Sequence, residues 1–109
     1  MILRWDRDDW VKILFENIED RSKHNFKKRP RTETESGLPY DYCSIMHYSM
    51  YAFSKYQTSK PTMLTKDPNY QFTIGNPNSR KGLSFYDAKI INIMYKCNEK
   101  CNRNPRCKV

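Results

Sequence analysis

Met46, His47 and Tyr48 put a thioether, an imidazole and a phenol on successive residues, within the stretch YDYCSIMHYSMYAFS that runs from Tyr40 to Ser54. An imidazole can bind a metal, a phenol is a weaker ligand and a hydrogen-bond donor, and a thioether packs as a soft apolar group. A full ligand set is missing. His24 and His47 are the only 2 histidines and lie far apart in sequence, whereas a catalytic zinc site usually draws on three protein ligands. The cysteines do not replace them. Cys97, Cys101 and Cys107 lack the paired C-x2-C arrangement and have no histidine nearby in sequence, so disulfides are the better reading of the chain's cysteines, Cys43 included.

Those residues need a scaffold, and the composition limits it. A chain of 109 residues with 38% hydrophobic content and mean hydropathy −0.94 is one small domain at most, or part of a larger one. Its core must lean on aromatic side chains, with crosslinks or missing partner sequence making up the rest. With so little apolar material, the isolated chain is expected to be loosely ordered outside its C-terminal helix.

The elements read as follows. Tyr40 to Ser54 could be an aromatic strand, but Ser44, His47, Ser49 and Ser54 interrupt its apolar residues, and a tight turn suits it better. WVKILFENI, Trp10 to Ile18, favours a short extended segment, because Val11, Ile13 and Phe15 alternate. KKRPRTETESGLP, Lys27 to Pro39, has no periodicity and reads as a surface loop. Residues 55 to 82, broken by Pro61, Pro68 and Pro77, read as a coil-rich wall and not a sheet. LSFYDAKIINIMYKC, Leu83 to Cys97, predicts a helix: Ser84 and Asp87 make a capping-box start, and Ala88, Ile91, Met94 and Tyr95 recur at helical spacing. Its apolar face, widened by Ile90 and Ile93, is expected to be core.

A net charge of +8 and a pI of about 9.4 permit binding to polyanions. The basic runs at residues 21 to 31 and 96 to 108 read better as solvated loops, and no nucleic-acid module with spaced base-stacking aromatics appears, so nucleic acid is not an expected partner. There is no membrane-spanning run. The start MILRWDRDDW becomes charged too early for a signal peptide, so a secreted chain would have begun further upstream.

The motifs then become specific. SIMHY, Ser44 to Tyr48, resembles the Met-turn of the astacin family, metzincin zinc endopeptidases whose ligand motif is H-E-x-x-H-x-x-G-x-x-H. RWDRD at Arg4 to Asp8 resembles the R-x-D-R-D segment that follows the family's zinc helix. Asn17 with Ile18, Asn25 with Phe26, YDYCSIMHY, Ala52 to Ser54, Pro61 with Thr62, Ile74 with Gly75, and LSFYDAKIINIMYKC follow in the family's order.

The resemblance implies an α+β fold: the C-terminal subdomain of an astacin-like zinc protease, mostly irregular coil with a Met-turn and one C-terminal helix. Residues 1–97 would be the C-terminal portion of the peptidase domain and 98–109 a basic Cys-containing tail. It implies that Met46 supports the zinc site as an apolar floor, and that Tyr48 is both the additional zinc ligand and a catalytic donor to the oxyanion of peptide hydrolysis. His47 is given a structural role in the turn. The cofactor implied is Zn2+, the partners are protein or peptide substrates, and the setting is secreted.

The pattern also departs from the family. The three histidine ligands and the catalytic glutamate, which the family places just before the arginine matched by Arg4, are absent from this chain, so the expectation is a metalloendopeptidase fragment that is inactive alone. In the family the cysteine matched by Cys97 bonds to one near the mature N-terminus, which leaves Cys97 to pair locally or wrongly; Cys101 with Cys107 would make a tail loop, and Cys43 has no family partner. The competing reading is a non-catalytic, basic, disulfide-bearing binding module for acidic polymers or protein surfaces.

Overall fold

A computed structural model describes residues 2–75, 82–97 and 99. Among them, two strands form the sheet: β1, Val11–Ile13, and β2, Met63–Thr65. They pair antiparallel in the register Val11 with Thr65, Lys12 with Leu64 and Ile13 with Met63. The two-residue period follows. Val11, Met63 and Thr65 are buried while Lys12 and Leu64 face out. Of the extended segment expected over Trp10 to Ile18, Val11–Ile13 is a strand, but Phe15–Asn17 turns into a 3-10 helix with Phe15 exposed; the coil-rich wall is likewise not purely coil, because β2 lies inside it. Three residues between Pro61 and Pro68 carry too little pattern to announce a strand whose partner lies so far away in sequence.

Short helices fill the gaps between strands. 3-10 turns run over Arg7–Asp9, Phe15–Asn17, Asp20–Phe26 and Pro68–Tyr70. The expected loop from Lys27 to Pro39 contains a single helical turn, α1, Arg31–Thr34, which starts after Pro30 and is clasped by an Arg31–Glu35 ion pair of 2.9 Å. The C-terminal helix, α2, runs Phe85–Met94 with Ser84 as N-cap. Its capping box is complete: the Asp87 N–H donates to the Ser84 hydroxyl at 3.0 Å and the Ser84 N–H donates to the Asp87 carboxylate at 3.0 Å.

The core lies in residues 2–74. Ile2, Val11, Ile18, Phe26, Tyr40, Tyr42, Met63 and Ile74 are buried together, and burying each of the larger side chains stabilises the fold by about 1.5–3 kcal/mol. The RWDRD arginines are part of that construction. Arg7 is buried and its guanidinium donates to the carbonyls of Phe26 and of Ile2 and to the Asp8 carboxylate, while Arg4 pairs with Asp6 at 2.6 Å. A buried guanidinium satisfied on several sides fixes the entry of the chain against Phe26.

Helix α2 overturns one expectation. Its apolar face is not core: Ile91, Ile93 and Met94, and Tyr95 just after its end, are exposed, Met94 by 70%, and Asp87 is the helix's buried residue. The spacing that predicts a helix cannot tell which face will meet a partner. The buried cluster is instead built from the segments before the helix.

The described residues contain two of the four cysteines. Cys43 and Cys97 are both free thiols. Cys101 and Cys107, and with them the expected tail loop, lie outside the described residues.

Candidate functional site

The residues Met46, His47 and Tyr48 sit on a turn held at several points. The His47 N–H donates to the Ser44 carbonyl at 3.1 Å, closing the turn. Asp87 of α2 grips its start: the carboxylate accepts from the Ser44 hydroxyl and from the Ile45 N–H at 2.9 Å. The Ser44 hydroxyl oxygen also accepts from the Met46 N–H at 3.1 Å. Asp41, which accepts from the Cys43 N–H at 2.8 Å, takes the hydroxyl of Ser84 as well, so the helix cap and the turn share one polar network. Burial works against ionisation of Asp87, but the donors from Ser44, Ile45 and Ser84 outweigh it and hold its carboxyl below the usual carboxylate range.

His47 is only 4% exposed. Its Nδ1 lies 2.9 Å from the Tyr48 carbonyl, an oxygen that can only accept, so Nδ1 carries a proton; in the neutral ring Nε2 then accepts from the Tyr40 hydroxyl at 2.8 Å. Burial pushes the Tyr40 phenol well above its ordinary value, which keeps that donor protonated. The imidazole thus braces the backbone of Tyr48.

The Tyr48 ring meets Phe26 and Phe53 edge-on, at centroid distances of 5.6 and 5.7 Å. Phe53 takes a left-handed backbone with φ of 58°, a costly conformation for a bulky residue, held by its carbonyl's bond from the Glu19 N–H at 3.0 Å. Tyr48 is half-buried and faces a cavity of about 710 Å³ also lined by Leu3, His24, Lys27, Lys28 and Arg29. Lys28 is paired with Asp8 at 2.9 Å. The cavity therefore combines a phenol in its wall with charges of both signs, since Glu33 also lines it.

Met46 stands apart from this cluster. It is 69% exposed, so among the described residues nothing lies over it as a site lies over its floor. Among the same residues no group of three or more His, Cys, Asp or Glu side chains could hold a metal ion. His47 has both ring nitrogens engaged, and His24 reaches Tyr48's cavity as a single imidazole. These residues do not make a zinc site by themselves.

Several members of this arrangement escape sequence reasoning. In the sequence Tyr40 is one of an aromatic run, with nothing to mark it as the donor to His47. Asp87 reads as a helix cap, and no signal shows that its carboxylate also reaches the turn. Gly75 carries no role of its own beyond its place beside Ile74.

A family model described as Astacin, a peptidase family, matches residues 2–96. Zinc metalloproteinase nas-34 of Caenorhabditis elegans is 44% identical over 105 residues, which cover 95% of this chain and 16% of the relative. Zinc metalloproteinase dpy-31 of Brugia malayi is 41% identical over 105 residues, covering 95% of this chain and 17% of the relative. Among solved structures, high choriolytic enzyme 1, a hatching-enzyme zinc protease from the medaka Oryzias latipes, superposes with a TM-score of 0.73 at 39% identity, covering 86% of this chain and 44% of that one. The chain thus spans under a fifth of the length of these curated relatives.

Proposed function

The chain belongs to the astacin family of peptidases, and on that premise we propose that it is the C-terminal part of the catalytic domain of a zinc-dependent metalloendopeptidase, inactive without the rest. Its fold is α+β and astacin-like. The matching relatives are named as zinc metalloproteinases, which makes Zn2+ the family's cofactor. In this reading the turn from Ser44 to Tyr48 is the Met-turn, residues 1–97 form the lower wall of a substrate cleft, and 98–109 is a tail. Protein or peptide chains are the substrates, and the protein acts outside the cell. No helix among the described residues is long and apolar enough to cross a membrane.

The observation that carries the proposal is Tyr48 itself. It lies inside the matched segment, with its backbone braced by His47 and its ring edge-packed and facing a cavity large enough for a peptide side chain. Held in this way, a phenol can donate to the negative charge that develops on a scissile carbonyl oxygen without reorganising at the moment of reaction. Tyr48 is also the additional zinc ligand in this reading, its companion imidazoles coming from outside this chain. Met46 supports those imidazoles as an apolar floor, which fits its exposure here.

Coding sequence upstream of Met1 provides the test. The expected result is an in-frame H-E-x-x-H-x-x-G-x-x-H just before Met1, and peptidase activity that appears only when that segment is expressed joined to this chain. A joined protein that folds, binds zinc and cleaves no peptide would overturn the proposal.

A further inference from the structure

Gly75 has no assigned role, yet its position against the turn is the tightest backbone approach at any described glycine. Its φ is 62°, a conformation L side chains rarely adopt. A Cβ built on it would stand 2.7 Å from the Tyr48 carbonyl carbon, and nearer still to the Ser49 nitrogen and Cα. All of these are backbone atoms, with no flexible side-chain end to swing aside. We propose that Gly75 is a positioning residue for Tyr48: the bare Cα is the surface against which the Tyr48–Ser49 backbone is seated.

Something must move if that surface gains a methyl group, and the anchoring on the two sides is unequal. On the Gly75 side, Ile74 is buried in the core, and Gln71 is tied to β2 by accepting from the Thr65 N–H at 2.8 Å and donating to the Met63 carbonyl at 3.0 Å. Tyr70 is stacked on Tyr42 at 4.8 Å. On the other side, the Tyr48 carbonyl is bound by His47 at 2.9 Å and the Ser49 carbonyl accepts from the Ala52 N–H at 3.1 Å, but Ser49 is exposed and Tyr48 only half-buried, so this side has open space to move into. A displacement of about 1 Å is needed to reach ordinary contact, and the share that Tyr48 and Ser49 take strains the His47 brace and the ring contacts of Tyr48. Misplacement of that size at a catalytic group can cost about 10²-fold in rate. The inference rests on the reading of Tyr48 given above only for its consequence in catalysis; the seating itself is independent of zinc and of activity.

The experiment uses the 109-residue chain with isotope-labelled tyrosine and phenylalanine, read by nuclear Overhauser contacts. In the unaltered chain, Gly75 Hα should show contacts to the Ser49 amide, and the Tyr48 ring to Phe26 and Phe53. Gly75→Ala should weaken or abolish the Tyr48 ring contacts and shift the Tyr48 ring signals. The control is Gly37→Ala, because Gly37 has the same kind of backbone, φ 68°, but nothing within 4 Å of its added Cβ. It imposes the conformational strain without the collision and should leave Tyr48 unmoved. The proposal is overturned if Gly75→Ala folds with the Tyr48 contacts intact, or if Gly37→Ala disturbs them equally. Should Gly75→Ala fail to fold, absence of the Gly75–Ser49 contact from the unaltered chain would overturn it instead. Failure of Tyr48→Phe to alter turnover in the joined enzyme would sink the catalytic reading while leaving these contacts as they are.

Discussion

Asp87 accepts a hydrogen bond from the hydroxyl of Ser44 across 43 positions of sequence, so the carboxylate that closes the capping box of α2 also fixes the start of the turn that carries Tyr48. Its bond from the Ile45 N–H, 2.9 Å long, makes the attachment bidentate in effect. One buried side chain therefore couples helix initiation to the geometry of the site.

Asp87→Ala is expected to destabilise the chain by about 2–4 kcal/mol, combining the loss of a helix cap with buried donors left unpaired. Urea denaturation followed by circular dichroism checks it. A cost under about 0.5 kcal/mol, the scale of a surface substitution, would mean that the network does not hold the turn.

Acid should dissolve the same attachment. Because the folded state holds the Asp87 carboxyl below the ordinary range, its contribution is fully present above the unfolded carboxylate pKa, about 3.9, and is lost as pH falls through the lower folded value. Denaturation midpoints should therefore drop on acidification below about pH 4. Asp87→Asn should flatten that slope, and an unchanged slope would assign the acid sensitivity to other carboxylates.

Tyr48→Phe, made in the joined enzyme, removes the hydroxyl but keeps the ring's edge contacts with Phe26 and Phe53. Turnover should fall by roughly 10²-fold with KM little changed, as for other lost oxyanion donors. Met46→Leu conserves volume and should cost far less. Steady-state kinetics with zinc content measured on each variant decides between them.

The chain alone should hold no tight stoichiometric zinc and cleave no peptide, since its described residues bring no three ligand side chains together. Metal analysis after dialysis against zinc, beside a peptidase assay, reads both. One zinc retained per chain would require a ligand set formed in some other way.

Truncations should separate core from surface. Ile18→Ala, at a fully buried site, should cost about 2–5 kcal/mol. Ile93→Ala, on the exposed side of α2, should cost less than about 0.5 kcal/mol in the same denaturation assay. Equal costs would place the helix face inside a core after all.

Whatever is written in contiguous residues was legible before any coordinates. The capping box of Ser84 and Asp87, the turn character of Ser44 to Tyr48, the extended step after Trp10 and the order of family motifs are local patterns, and local hydrogen-bonding geometry suffices to produce them. The pairing of β1 with β2, the bracing of His47 by Tyr40, the reach of Asp87 to Ser44 and the seating of Tyr48 and Ser49 against Gly75 emerged with the folded chain. Most of these join segments brought together from a distance, which no periodicity encodes. The exposed apolar face of α2 marks the same boundary: a 3.6-residue repeat specifies that a helix has an apolar side, and only packing specifies what, if anything, that side touches.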